Sequence, residues 1–208
     1  MLAIIDYGAG NLFSLQSSLR YLGFEAQVTG SAAKLASAER LILPGVGAFG
    51  DAMDKLAAAG LVPVLREQAA LGKPLLGICL GMQMLFDESF EFGRRVGLGL
   101  LRGSVRDMEP ALRAAGLAYK VPQIGWNSLV FRKPDCPILK YTKEGDFVYY
   151  VHSFYATDCD CCLAAGSDYG VFVPGVVWQN NVFGTQFHPE KSGTVGLEIL
   201  RAFCEVKA

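Results

Sequence analysis

Histidine is scarce in this chain: two of 208 residues, His152 and His188. So few imidazoles argue against a histidine-built metal centre and leave two candidates for a base working near neutral pH. A basic excess is missing as well. Lysine and arginine number 19 against 20 aspartates and glutamates, a net charge of −1. Basic residues form no cluster beyond the short pair Arg94-Arg95, so nucleic acid is not an expected partner. The longest uncharged stretch runs from Tyr169 to Phe187, long enough by itself to suggest a membrane span. Pro174, Gln179, Asn180, Asn181 and Gln186 punctuate it, and the stretch reads instead as strands joined by turns. The opening Met1-Leu-Ala-Ile-Ile-Asp6 has no basic start and meets an acid at position 6, unlike an export signal. The expectation is a cytoplasmic protein with no membrane segment.

Cysteine is present in quantity: Cys79, Cys136, Cys159, Cys161, Cys162 and Cys204. Without an export signal these read as free thiols. Cys159-Asp-Cys161-Cys162 contains a C-x-x-C pair, but a closed zinc site takes four ligands and no second pair exists. The run reads as a cysteine-rich surface turn, and neither metal nor other cofactor is expected. Hydrophobic residues make up 51% of the chain, enough for a sizeable core. No linker or repeat interrupts it, which predicts one domain over residues 1–208.

The first half alternates short apolar runs with helical periodicity. Leu2 to Asp6 reads as a strand, Phe24 to Thr29 as a second, Arg40 to Leu43 as a third and Lys73 to Ile78 as a fourth. Between them, Leu12, Leu15, Leu19 and Leu22 recur at helical spacing after a capping Asn11, with Gly23 as the stop. Helical patterns also fill residues 48–71 and 81–86. Such alternation predicts an α/β fold with a parallel sheet. In the second half strand signals dominate, at Gly103–Asp107, Trp126–Phe131, Asp146–Tyr155, Val171–Gln179 and Val182–Phe187, with helix only from Thr194 to Val206. These strands are expected to extend the same sheet in mixed orientation.

Gly77-Ile-Cys79-Leu-Gly81-Met-Gln83 places a cysteine between glycines, after an apolar strand and before a helix. That is the pattern of a nucleophile elbow, in which a sharp turn exposes the reactive atom. The sulfur would lie at the positive end of the helix, with the Leu80 N–H facing a developing oxyanion. A buried structural cysteine in a glycine-rich strand end is the alternative. A cysteine nucleophile needs a base. His188 lies in Gln186-Phe-His188-Pro-Glu190, where Pro189 biases it toward extended geometry. Residues i and i+2 of an extended segment share a face, so Glu190 can orient the imidazole and stabilise its cation. His152, set among Tyr149, Tyr150, Phe154 and Tyr155, has no such carboxylate and reads as structural. The turn Pro44-Gly45-Val46-Gly47 follows the third strand and should share the sheet edge with Cys79. Its N–H groups could supply a second oxyanion donor, although an ordinary strand-to-helix turn would look the same.

With these residues in view the chain resembles the class-I, triad-type glutamine amidotransferases. Within them it resembles the glutaminase subunits of imidazole glycerol phosphate synthase. The class marker is Gly77 to Gln83 together with His188-Pro-Glu190. The finer markers are Ile5-Asp-Tyr-Gly-Ala-Gly-Asn11, Leu43 to Phe49, Ile124-Gly-Trp126-Asn127, Tyr150 to Phe154 and Phe187 to Gly193. The resemblance covers nearly the whole chain. It implies a mixed, mainly parallel central sheet flanked by helices, flavodoxin-like. It implies a Cys79–His188–Glu190 triad working through a glutamyl thioester. Gln83 and the backbone of Ser153 and Phe154 would hold the glutamine head group. Ammonia would pass to a (β/α)₈-barrel cyclase subunit that makes imidazole glycerol phosphate and AICAR in histidine biosynthesis. The two chains would form a heterodimer. Asn11, Trp126 and Lys191 sit in finer markers and are candidates for the docking face. Ile124 replaces an expected Met, and the 159–162 cysteine run has no counterpart in the family. Another triad amidotransferase, a γ-glutamyl hydrolase or cysteine peptidase on the same fold, and a non-catalytic binding module are the alternatives.

Overall fold

In the computed structural model, which describes residues 1–207, the expected alternation is present. It runs β1 (Leu2–Ile5), α1 (Leu12–Tyr21), β2 (Ala26–Thr29), α2 (Ala32–Ser37), β3 (Arg40–Gly45), α3 (Phe49–Ala58), α4 (Leu61–Ala70), β4 (Leu75–Cys79) and α5 (Leu80–Met84). Then follow β5 (Phe86–Ser89), β6 (Arg95–Val96), β7 (Leu101–Asp107), α6 (Met108–Ala114), β8 (Gln123–Ser128), β9 (Val130–Phe131) and β10 (Phe147–His152). The chain closes with β11 (Phe154–Thr157), β12 (Leu163–Asp168), β13 (Phe172–Gln179), β14 (Val182–Thr185) and α7 (Gly193–Cys204).

The central sheet has eight strands in the order β2-β1-β3-β4-β14-β13-β12-β9. From β2 to β14 the pairings are parallel; from β14 outward they are antiparallel. Its opening order, 2-1-3-4, is that of flavodoxin-like sheets. Side-chain alternation splits the core into two layers. Leu2 and Ile4 join Leu15 and Leu19 of α1 and Ile199 and Phe203 of α7. Ala3 and Ile5 face the other way, against Leu35 of α2, Phe49 and Leu56 of α3, and Leu61 and Leu65 of α4. Helices on both faces explain why β1, β3 and β4 are apolar at nearly every position.

Several expectations need correction. Only β14, β13, β12 and β9 extend the central sheet. β8 and β10 form a separate antiparallel pair, and β11-β7-β5-β6 form a third sheet. The stretch 146–155 is two strands in two sheets, divided at Ser153. Helix α6 interrupts the second half, where only strands were expected. Residues 48–71 are helical as expected, in two helices parted where Gly60 takes φ +69°. Asn11 occupies the position before α1 but makes no side-chain capping bond. Cys159 and Cys162 are buried, and only Cys161 is exposed, so the cysteine run is not simply a surface turn. The Cys162 thiol donates to the Cys159 carbonyl at 3.3 Å.

Candidate active site

Cys79 is the last residue of β4 and adopts φ 55°, ψ −112°, a strained conformation for a residue with a side chain. The flanking glycines make the turn possible. A Cβ on Gly81 would stand 1.9 Å from the Leu43 carbonyl oxygen, and one on Gly77 would stand 2.6 Å from the Gly81 oxygen. α5 therefore lies directly on the backbone of β3 and β4. This close packing holds the Cys79 sulfur at the carboxyl edge of the sheet.

His188 arrives from the other side, just after β14. Its N–H donates to the Tyr149 carbonyl at 3.0 Å. The Ser192 hydroxyl donates to the His188 carbonyl at 2.7 Å and accepts from the Tyr149 N–H at 2.9 Å. Nδ1 of His188 lies 2.8 Å from Oε1 of Glu190, and the two side chains are 4% and 3% exposed. The carboxylate reaches back through a single 3₁₀ turn, Pro189–Lys191, and not along an extended strand as the sequence suggested. Burial by itself would push the imidazole down. Hydrogen bonding to Cys79 and Glu190, reinforced by their charges, outweighs it and raises His188 to about 9. The three residues thus have the arrangement that a nucleophile, its base and an orienting acid require.

The triad opens into a cleft of about 410 Å³, which suits one amino acid. Leu80, Val46 and Gly47 line it, together with Gln83, Ser153, Phe154 and Lys191. Gly45 does not line it. That residue ends β3 as the register partner of Cys79, which leaves Val46 and Gly47 as the part of the turn that reaches the cleft. Gly47 has φ +94° and open space around its Cα, which leaves this backbone free to reorient. Gln83 is buried, and its amide donates to the Phe154 carbonyl at 2.9 Å and to Gln186 Oε1 at 3.0 Å. It shapes the cleft wall through the 153–154 backbone.

His152 also borders the cleft. Nδ1 lies 2.9 Å from the Phe154 carbonyl. Burial, only partly offset by that bond, lowers the imidazole to about 4, so it is a far weaker base than His188. Asn11 lies elsewhere, against a small void bordered by His188 and Glu190. Trp126 is 51% exposed, beside Ile124 at 61% and Phe147 at 56%. Trp126 is therefore not a core residue. β8 and β10 instead turn an apolar patch outward.

The chain matches the family described as glutamine amidotransferase class-I over residues 3–206. The chain belongs to the class-I glutamine amidotransferases. An imidazole glycerol phosphate synthase subunit HisH from Geobacillus kaustophilus (strain HTA426) is 52% identical over 205 residues, covering 98% of this chain and 95% of that protein. The subunit of the same name from Bacillus cereus (strain B4264) is 49% identical over 203 residues, covering 98% and 93%. Among solved structures, PurLQS from Thermotoga maritima superposes with a TM-score of 0.74 at 22% identity, covering 98% of this chain and 96% of that one. A structure described as a glutamine amidotransferase superposes with a TM-score of 0.75 at 19% identity, covering 98% and 97%.

In this amidotransferase, sequence reasoning missed two cleft residues and a buried neighbour of Cys79. Glu91, the acid bordering the cleft, accepts from the Phe49 N–H at 2.6 Å. Burial raises its pKa. Phe92 follows with φ +52° and is 88% exposed at the mouth, its ring 6.3 Å from that of Phe154. Gln186 places its amide nitrogen 3.8 Å from the Cys79 sulfur. Glu91 and Phe92 sit in a turn with no periodic pattern. Gln186, two residues before His188, carried the one available signal.

Proposed function

We propose that this chain is the glutaminase subunit of imidazole glycerol phosphate synthase, supplying ammonia for histidine biosynthesis. The observation that carries this reading is the strained Cys79 elbow set against a buried His188–Glu190 pair. Cys79 attacks the side-chain amide carbon of glutamine. The oxyanion is met by the Leu80 N–H and by the turn at Val46 and Gly47. His188 gives its proton to the departing ammonia, leaving a glutamyl thioester. It then takes a proton from water, which releases glutamate and restores the thiol. Glu91 pairs with the α-ammonium group, and the Ser153–Phe154 backbone meets the α-carboxylate.

Ammonia released here is consumed by a cyclase partner, a (β/α)₈ barrel in a heterodimer. The patch of Ile124, Trp126 and Phe147 offers the apolar surface such a docking face needs, with Asn11 and Lys191 nearer the triad. The same reading places the enzyme in the cytoplasm. The test is glutamine turnover by the free chain and by its complex with the cyclase subunit, with and without the acceptor nucleotide. Low turnover in the free chain and a strong rise in the liganded complex are expected, because the turn at Gly47 is free to rest misaligned. Equal turnover in both would refute the coupling. Preference for γ-glutamyl peptides over free glutamine would refute the amidotransferase reading in favour of a γ-glutamyl hydrolase.

A further inference from the structure

The turn from Asp6 to Asn11 contributes no residue to the triad, yet it is built with care. Asp6 accepts from the Gly8 N–H at 3.1 Å, and Gly8 and Gly10 take φ +84° and +112°. This turn delivers Tyr7 into the core, where it is 6% exposed. Its hydroxyl donates to the Pro44 carbonyl at 2.9 Å, with the Met84 sulfur farther off at 3.8 Å. A Cβ on Gly10 would stand 3.0 Å from Pro44 Cβ, so the turn meets Pro44 at a second point.

Pro44 begins the oxyanion turn. It pairs with Ile78 and Gly45 pairs with Cys79, after which β3 ends and Val46 is 47% exposed. The Pro44–Gly45 peptide unit is planar, so anchoring its carbonyl also fixes the Gly45 N–H. Free rotation starts one residue later, at Val46 and Gly47. We propose that Tyr7 is a positioning residue that anchors the fixed end of the oxyanion turn through the Pro44 carbonyl. Rearrangement of the turn is thereby confined to Val46 and Gly47. Burial, and then the nearby Cys79 charge, raise the Tyr7 pKa, so the hydroxyl keeps the proton it donates. The proposal rests on the glutaminase reading.

The experiment is Tyr7→Phe in the complex with the cyclase subunit, which removes one oxygen and keeps the ring. Five quantities are read: glutamine kcat, glutamine KM, the pH profile of Cys79 alkylation by iodoacetamide, the melting temperature, and amide exchange. Alkylation is a displacement that forms no oxyanion, so it reports the sulfur apart from the turn. A net hydrogen bond lost from the transition state lowers kcat by roughly three- to tenfold. KM should stay within about twofold, since uniform substrate binding is untouched. The alkylation profile should not move, and faster exchange should be confined to residues 45–47. An unchanged kcat overturns the proposal. A shifted alkylation profile also overturns it, because the hydroxyl would then act on the sulfur. A lower melting temperature with exchange raised throughout overturns it in favour of a general packing role. Wild-type turnover in the same assay tests the glutaminase reading separately.

Discussion

The segment that carries Cys79 and the segment that carries His188 are held by different kinds of contact. Cys79 is placed by its own neighbours: β4 leads in, α5 leads out, and Gly77 and Gly81 let the helix lie on the strands. His188 is placed by partners far along the chain, with Tyr149 receiving its N–H and supplying the N–H that Ser192 accepts. A nucleophile needs a strained backbone, which local sequence can impose. A base needs only orientation, and a distant strand can give it. Reactivity and alignment should therefore fail separately when each is disturbed.

The sharpest disturbance of alignment is Glu190→Gln. An amide can donate where the carboxylate only accepts, so His188 loses its fixed tautomer while the elbow stays intact. A kcat loss of roughly tenfold to a thousandfold is expected in the partnered enzyme. The imidazole should also titrate below the wild-type value of about 9, since Glu190 is one of the groups that raise it. Protonated His188 is favoured in the folded state, because its pKa stands above the unfolded value of about 6.5. Its stabilisation is therefore full below that value and lost as pH rises through about 9. Glu190→Gln should flatten this part of the stability–pH curve. An unchanged kcat, or an imidazole that still titrates near 9 by NMR, would remove Glu190 from its assigned role.

A smaller effect is expected at Trp126, which belongs to the same long-range half but lies on its surface. With the side chain half exposed, Trp126→Ala should change folding stability by about 0.5 kcal/mol or less. Loss of an aromatic anchor from an interface costs about 1–2 kcal/mol of binding, so affinity for the cyclase subunit should fall roughly tenfold. Early melting with undiminished binding would make the patch a packing feature and not a docking face.

The first half was legible because parallel strands buried on both faces are short apolar runs, and helices between them keep a clear period. Gly-x-Cys-x-Gly was legible for a related reason: its chemistry follows from its backbone. The second half was not. β5, β6 and β12 pair with neighbours close in the chain, but Phe86–Ser89, Arg95–Val96 and Leu163–Asp168 carry no clear apolar alternation, so no local pattern marked them. His188 and Glu190 were found through proximity in sequence, although the turn joining them is 3₁₀ and not extended. Glu91 stayed hidden because only the fold brings it to the cleft. Trp126 was named from its marker alone, and its exposure comes from the separate β8–β10 pair, which no local pattern showed.

The most direct measurement compares two nitrogen sources in the complex carrying Cys79→Ala. Alanine is smaller than cysteine and fits the same turn, so folding and docking should survive. No other thiol sits at an elbow: Cys136, Cys159, Cys162 and Cys204 are buried elsewhere, and Cys161 is exposed. Glutamine-dependent synthesis should fall by several orders of magnitude, as removal of a triad nucleophile does. Synthesis from ammonium salt at raised pH should continue at the unaltered rate, because free ammonia needs no thioester. Loss of both activities in an intact complex would contradict the assignment of Cys79 to glutamine hydrolysis alone, as would retained glutamine-dependent synthesis.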